Sequence, residues 1–245
     1  MTLSSLRPVT RHFVLLLACA FGSWGWHRWE PGWSRTYGGT RWDYARAIVP
    51  TFDGGYVVAG YTASFGAGAD DAWVLKLDGS GNVVWQKTYG GSYADWAYAI
   101  APTFDGGYVV AGNTVSFGAA GSFDAWVLKL DGRGNVVWQK TYGGSSADSA
   151  HAIAPTFDGG YVVAGSAWSF GAGSYDAWVL KLEADGTVRG CPPGLVRDST
   201  ASVGSTTMSS LSTSVVGQTT SASVALSSAV VGISNASPVE VCKGQ

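Results

Sequence analysis

Charged side chains are scarce in this 245-residue chain, and neither sign dominates. Asp, Glu, Lys and Arg together make up 13% of the residues, about half of the usual share of roughly 25%. Fifteen Lys and Arg against 17 Asp and Glu leave a formal net charge of −2. Nucleic acids and anionic membrane surfaces require a basic surface, so the composition predicts neither as a partner.

Residues with catalytic or ligating chemistry are equally few. The only three histidines are His12, His27 and His151, and the chain has no H-E-x-x-H pair, phosphate loop or G-x-S-x-G elbow. The stretch DGSGN at 78–82 resembles the start of a calcium loop but lacks its later acidic ligand, so we interpret it as a hairpin turn. We therefore predict no catalytic residue, no metal site and no cofactor.

Only three cysteines occur: Cys19, Cys191 and Cys242. No C-x-x-C spacing is present, which argues against redox chemistry. Cys191 and Cys242 flank the final segment, and in an oxidising compartment we expect them to form a disulfide. By the chain-entropy estimate, closing that loop of about 50 residues contributes roughly 4 kcal/mol, less any strain.

No apolar run reaches the roughly 20 residues of a membrane-spanning helix. Arg7 and Arg11 precede the short apolar run 13–18, which predicts a signal peptide over residues 1–20. LLAC at 16–19 resembles a bacterial lipobox, which would make Cys19 the lipidated first residue, whereas ACA at 18–20 would release the chain after Ala20. A buried apolar strand or helix is the structural alternative.

The abundant feature of the chain is repetition. TFDGGYVVAG occupies 51–60 and returns at 103–112 and 156–165, so successive copies start 52 and 53 residues apart. DAWVLKL recurs in all three copies, and GNVVWQKTYGG recurs at 81–91 and 134–144. A period near 50 is typical of a propeller or solenoid. The repeats span about 36–87, 88–140 and 141–190.

Each repeat contains four apolar runs separated by turn signals. In the first copy we predict strands at 45–51, 56–62, 72–78 and 83–89, with turns at Asp53-Gly54-Gly55 and at 79–82. The second and third runs are apolar on both faces, which is typical of strands covered on both sides. The sequence therefore predicts an all-β, β-propeller-like array of three four-stranded blades, followed by a Ser/Thr-rich β segment.

The units DGGYVVAG, DAWVLKLD and GNVVWQKTYGG resemble the repeats of bacterial and archaeal exported β-propellers of the delta-sixty and quinoprotein-like type. The resemblance covers residues 33–190 and implies a propeller fold. It implies no particular activity, because propellers serve many functions. No residue of this chain maps onto the quinone or calcium ligands of such proteins.

Ring closure is left open by the sequence. Closed propellers usually have four to eight blades, and three are counted here. Residues 33–39 (WSRTYGG) form a lone fourth strand that could complete the last blade, whose own fourth strand has decayed to GTVRG at 186–190. A fourth blade could come from residues 191–242 or from a homo-oligomeric partner; otherwise the array is an open arc.

The final segment, 191–245, changes in composition. From Ser199 to Pro238 it has no charged residue and is rich in Ser, Thr, Ala and Val. Its β-branched content favours short strands, and a linker or mucin-like stalk is the alternative.

Acids and lysines recur once per repeat at matched positions. Paired carboxylates would suit a glycosidase, but acids repeated in every blade more often cap turns or neutralise the strand lysine. We predict the structural role. The acids are Asp43, Asp53 and Asp71 with their counterparts Asp95, Asp105, Asp124, Asp148, Asp158 and Asp176, and the lysines are Lys76, Lys129 and Lys181.

Positions that differ between the copies are the candidates for ligand contact. They flank or lie on the first strand, which in propellers lines the axis or its rim, and an aromatic rim suits a sugar or a peptide. Drift after duplication is the alternative. The candidate rim residues are Trp42, Tyr44, Arg46, Trp96, Tyr98, His151 and Trp168.

These observations predict a non-catalytic, exported binding or assembly module at the bacterial cell envelope. It would be lipid-anchored, periplasmic or extracellular, would touch the membrane only through its anchor, and would bind a protein or carbohydrate. The alternatives are a propeller enzyme (a quinone-dependent oxidoreductase or a glycosidase) and a structural surface or adhesion protein.

Overall fold

A computed structural model describes residues 32–118, 121–190, 195–198, 202–205 and 211–212. Every regular element in these residues is a β-strand, which confirms the all-β prediction, and no helix in them could cross a membrane. The predicted signal peptide at 1–20 and the residues Cys19, Cys191 and Cys242 lie outside the described residues.

The strands are β1 (Arg35–Thr36), β2 (Asp43–Pro50), β3 (Tyr56–Thr62), β4 (Asp71–Leu77), β5 (Val83–Gly90), β6 (Asp95–Pro102), β7 (Tyr108–Thr114), β8 (Asp124–Leu130), β9 (Val136–Tyr142), β10 (Asp148–Pro155), β11 (Tyr161–Ala167), β12 (Asp176–Leu182), β13 (Val196–Asp198), β14 (Ser202–Ser205) and β15 (Leu211–Ser212).

Each repeat folds into one antiparallel sheet of sequential hairpins. The first sheet contains β2–β5 and the second contains β6–β9, each in chain order. In the part of the chain that the structure describes, the third sheet contains β10, β11 and β12 and no fourth strand. The prediction of four strands per repeat is therefore wrong for the third copy, because its last segment lacks the VVWQKTY run that forms β5 and β9.

The turn in TFDGGYVVAG explains why this stretch is constant. Thr51 N donates to Gly55 O at 2.9 Å, Gly54 N donates to Thr51 O at 3.0 Å, and Asp53 Oδ1 accepts from Gly55 N at 3.1 Å. Gly54 has a φ of +79°, a conformation that L side chains rarely adopt. The predicted hairpin turn is confirmed, and it recurs in the other two copies with the same bonds.

The sheets pack face to face through unlike surfaces. We call Val57, Ala59, Ala72 and Val74 of the first sheet, with their counterparts in the others, the front face. We call Val58, Trp73, Leu75 and Leu77, with their counterparts, the back face. The front face of the first sheet packs on the back face of the second, and the front face of the second packs on the back face of the third. Small Val and Ala side chains thus meet bulky Trp and Leu side chains, which fills the space between sheets.

The described parts of the final segment run along the outer edges of the sheets. β13 pairs with β9 and β14 pairs with β5, so the second and first sheets each have five strands. β15 pairs with β1 in a separate two-stranded sheet. Lys140, Lys87 and Arg35 pair with Asp198, Ser205 and Ser212, so the segment advances by seven residues from one edge to the next.

The described residues show what two of the proposed sources of a further blade form where the structure describes them. The described residues after 190 add edge strands and form no further sheet of their own. Residues 35–36 pair with β15 and not with β12, so within the described chain they do not complete the third sheet.

Candidate functional site

A β-bulge recurs at the same place in the first strand of every sheet. The pairing of β2 with β3 shifts between Ala45 and Ala47, which makes Arg46 the extra residue. The same shift makes Tyr98 the extra residue in β6 and His151 the extra residue in β10. Bulges bend a strand and redirect its side chains. Three of the predicted rim residues therefore occupy one structurally special position.

A constant glycine permits each bulge. Gly60 lies opposite Ala45, and a Cβ on Gly60 would overlap the carbonyl oxygen of Tyr44. Gly112 and Gly165 meet the carbonyl oxygens of Trp96 and Ser149 in the same way. The last glycine of TFDGGYVVAG is therefore required by the bulge.

Aromatic rings join the bulge residue of the first sheet to the second sheet. Arg46 donates to Tyr61 Oη at 2.6 Å, and its Cζ lies 5.1 Å from the Tyr61 ring centroid and 5.4 Å from that of Tyr44. The Tyr61 ring lies 6.1 Å from that of Trp96 on the second sheet. Trp96 donates from Nε1 to Asp70 Oδ2 at 3.1 Å, which fixes the indole between the two sheets.

The other two bulge residues continue the same surface. The ring centroids of Tyr98 and His151 are 5.7 Å apart. Burial raises the pKa of the Tyr98 hydroxyl, and the neighbouring Tyr61 raises this pKa further. The positive charge of Arg46 lowers the pKa of Tyr98, because the guanidinium lies close enough to interact with it electrostatically. Because β6 packs against both β2 and β10, these side chains form one continuous surface. We call Tyr44, Arg46, Tyr61, Trp96, Tyr98 and His151 the bulge surface.

The remaining two predicted rim residues lie elsewhere. Trp42 precedes β2 and is 70% exposed. Trp168 follows β11 on the third sheet, and its ring lies 5.4 Å from that of Tyr175. The structure therefore brings together five of the seven predicted residues and adds Tyr61, a position that also varies between the copies.

The recurring acids hold loops and lysines. Asp43 accepts from Gly39 N at 2.9 Å, from Ser64 Oγ at 2.8 Å and from Thr62 Oγ1. Asp95 repeats these contacts with Gly91 N, Ser116 Oγ and Thr114 Oγ1. Asp71 accepts from the amides of Ala67 and Gly68 at 2.9 and 3.0 Å. Among the described residues, no group of three or more His, Cys, Asp and Glu side chains could hold a metal ion.

The strand lysines pair with the turn acids, as predicted. Lys76 Nζ lies 2.8 Å from Asp53 Oδ1, and the corresponding pairs in the other sheets join Lys129 to Asp105 and Lys181 to Asp158, both at 2.8 Å. Lys76 also donates to Thr51 Oγ1 and to Leu77 O. Hydrogen bonds from Lys76 and Thr51 hold the pKa of Asp53 well below its ordinary value.

A constant and exposed phenylalanine in each turn was missed in the sequence. Phe52, Phe104 and Phe157 are 103%, 75% and 102% exposed, and the rings of Phe104 and Phe157 stack at 6.4 Å. A turn residue is commonly exposed, but the pairing and packing of the sheet do not explain why an exposed ring is constant between the copies.

No protein-family model and no curated protein matches this chain.

Proposed function

We propose that residues 33–190 are an open segment of a β-propeller and that the chain is an exported, non-catalytic binding module of the bacterial cell envelope. The stacked antiparallel sheets with adjacent first strands support the propeller, because the first strands of propeller blades surround a common axis. The signal-like residues 1–20 support export.

One observation carries the binding function. A constant bulge with its constant glycine holds a residue that differs in every copy, namely Arg46, Tyr98 and His151. The constant part is what the fold needs, whereas the differing side chains lie side by side on one surface. These three differing residues share one position, and each lies beside an aromatic or imidazole ring, Arg46 beside Tyr61 and Tyr98 beside His151.

The chemistry of the bulge surface fits a carbohydrate. Aromatic faces pack on the apolar faces of sugar rings while their polar edges and neighbours bond the hydroxyls. Arg46 has five N–H donors, of which one bonds Tyr61. Among the described residues Tyr61 is the one hydrogen-bond partner of Arg46, and its other donors suit a carboxylate, which guanidinium binds in a bidentate manner. The ligand class proposed is therefore an oligosaccharide with an acidic sugar.

A glycan array probed with the chain tests this function. We expect binding to uronate- or sialate-containing glycans, and Tyr98→Ala should weaken it about tenfold or more, since fully burying a large apolar side chain contributes about 1.5–3 kcal/mol. Tyr93→Ala is the matched control, because Tyr93 is 63% exposed on the loop before β6 and lies outside the bulge surface. Absence of glycan binding, or equal loss in the two variants, would refute the proposal.

A further inference from the structure

A constant phenylalanine projects from the first turn of every sheet. Phe52, Phe104 and Phe157 are 103%, 75% and 102% exposed, and the rings of Phe104 and Phe157 stack with their centroids 6.4 Å apart. At this exposure the rings of Phe52 and Phe157 contribute nothing to the packing between sheets. Phenylalanine has no polar group that water could bond, so a row of exposed rings indicates contact with an apolar partner.

The turns that carry these rings are held firmly. Backbone bonds close the first turn, and Asp53 accepts hydrogen bonds from the side chains of Thr51 and Lys76. Equivalent bonds hold Asp105 and Asp158 in the other two sheets. A ring on such a turn is already in place, so little conformational entropy is lost when a partner covers it.

Both hairpin turns of a sheet lie at the same end. Turn 51–55 joins β2 to β3 and turn 78–82 joins β4 to β5, so the antiparallel order places the two turns side by side. A Cβ on Gly79 would lie 3.0 Å from the carbonyl oxygen of Gly54, which shows how close the turns are. The corresponding segments of the other sheets are arranged in the same way. We call all six the turn end: 51–55, 78–82, 103–107, 131–135, 156–160 and 183–187.

The turns of neighbouring sheets also lie together. The stacked rings of Phe104 and Phe157 join the first turns of the second and third sheets. Trp85 of β5 lies beside Tyr108, which follows turn 103–107, and their ring centroids are 6.3 Å apart. The outer strand of the first sheet therefore adjoins the first turn of the second. The three phenylalanines thus project from one end of the stack of sheets.

A second layer of aromatic rings lies behind the phenylalanines. Each tryptophan of this layer is partly exposed and packs on the tyrosine that follows a first turn; the pairs are Trp33 with Tyr56, Trp85 with Tyr108 and Trp138 with Tyr161, at 6.1, 6.3 and 5.9 Å. Lys87 and Lys140 stand two residues after Trp85 and Trp138, where the outer strands lead away from the turns. Apolar tips, then Trp and Tyr, then lysine is the order from acyl chains to headgroups in membrane-bound proteins.

The charges at the turn end are balanced. Asp53, Asp105 and Asp158 pair with strand lysines, and Glu183 lies 2.9 Å from Arg189. The remaining acids are Asp78, Asp131 and Asp185, which lie close enough to Arg35, Lys87 and Lys140, respectively, to interact with them electrostatically. Every acid of the six turns therefore has a basic neighbour, so the turn end favours an apolar or zwitterionic partner over a highly charged one.

Two features favour a bilayer over a protein as this partner. Phe52 and Phe157 are fully exposed and stand in no groove, so a protein would have to supply a separate pocket for each ring. Acyl chains, in contrast, surround a ring wherever it lies. The rings are also identical in the three sheets, which suits a uniform medium, whereas the residues of the bulge surface differ from copy to copy.

We propose that the turn end docks on the surface of a zwitterionic phospholipid bilayer, with Phe52, Phe104 and Phe157 inserted among the acyl chains. The partly exposed tryptophans then lie at the level of the headgroups, where Trp and Tyr are enriched in membrane proteins. The sequence predicted contact with a membrane only through the anchor, since its charges gave no reason for another contact. Apolar rings on turn tips require no basic patch.

Cosedimentation of the full chain with phosphatidylcholine vesicles tests the docking. Cys19→Ser in every protein used keeps an attached lipid from contributing. We expect the chain to bind the vesicles. The triple variant Phe52→Ser, Phe104→Ser, Phe157→Ser should weaken the binding by about tenfold or more, because the apolar surface that the bilayer buries is lost. Adding phosphatidylglycerol or salt should change the binding by less than about twofold, since the charges of the turn end are balanced.

The triple variant Trp42→Ser, Tyr93→Ser, Tyr175→Ser is the matched control. It removes three aromatic rings that are 70%, 63% and 52% exposed at the opposite ends of the sheets, and it should bind like the wild type. Thermal melting followed by circular dichroism should show that both variants are folded. Three results would each overturn the proposal: a wild type that binds no vesicle, which leaves a protein as the partner of the rings; equal losses in the two triple variants; or binding that requires phosphatidylglycerol.

Discussion

Lys129 and Lys181 make the same contacts in neighbouring sheets and differ in what covers them. Each pairs with a turn aspartate at 2.8 Å and donates to the carbonyl of the next leucine. The side chain of Lys129 is 6% exposed and that of Lys181 is 47% exposed. If the lysine is removed, water can donate to the leucine carbonyl beside Lys181 but not to the buried one beside Lys129. The contribution of the ion pair to stability therefore depends on whether another sheet covers it.

Methionine substitutions measure this difference. Lys129→Met should lower the free energy of unfolding by about 1–2 kcal/mol, because the carbonyl of Leu130 loses its charged donor in a buried position. Lys181→Met should change it by less than about 0.5 kcal/mol, as is usual for exposed pairs. Urea unfolding compares the two variants, and equal losses of stability would contradict this account.

Asp105 makes the stability depend on pH in the acid range. Burial alone would raise the pKa of Asp105, but hydrogen bonds from Lys129, Thr103 and Gly107 lower it to about 2, from 3.8 for the free group. A lowered folded-state pKa stabilises the protein above the unfolded value, and this contribution is lost as the pH falls from about 4 to about 2.

Asp105→Asn removes that titration. Its urea midpoint should therefore fall less than that of the wild type between pH 4 and pH 2, while at pH 7 it should be lower than that of the wild type. Asp71 and Asp95 act in the opposite direction, since burial raises the pKa of both and their protonation favours the folded state. Parallel curves for Asp105→Asn and the wild type would show that the pair does not contribute.

At the scale of elements, the final segment closes edges that would otherwise be open. β13 and β14 cover β9 and β5, the outermost strands of the second and first sheets. An exposed edge strand presents unpaired N–H and C=O groups to other chains. The seven-residue advance allows one short segment to protect edges on successive sheets.

A chain ending at Asp198 tests this role, because it retains β13 but lacks β14 and β15. Amide hydrogen exchange should become at least tenfold faster at those amides of β5 that face β14, while β9 keeps its protection. β9 is thus an internal control, with the same sequence on an edge that stays covered. Unchanged exchange in β5 would show that β14 does not protect it.

The elements of the first two repeats could be predicted from the sequence, whereas the strand pairing of the described parts of the final segment could not. The DGG turns and the doubly apolar strands follow from glycine conformation and burial on both faces, and TFDGG placed each turn correctly. The pairing of β14 with β5 could not be predicted, because Ser, Thr and Gly carry no pattern that selects an edge strand.

At the scale of the whole molecule, the copies are unequal because of their neighbours. The same valine is 0% exposed in two sheets and 67% exposed in the third. The bulge surface is likewise a property of several sheets together, since the ring of Tyr61 meets that of Trp96 across a sheet boundary. The differing positions were visible in the sequence, but the bulge that aligns Arg46, Tyr98 and His151 was not, because its register shift depends on pairing geometry.

The pairing of β14 with β5 also has a consequence for the order of biosynthesis. β5 ends at Gly90, and its partner begins at Ser202. At roughly 5–20 residues per second, the ribosome makes the partner on the order of 5–20 s after the edge that it covers. During that interval the outer strand of the nascent first sheet is bare, so the newborn chain is most prone to pairing with a neighbour before Ser202–Ser205 are made.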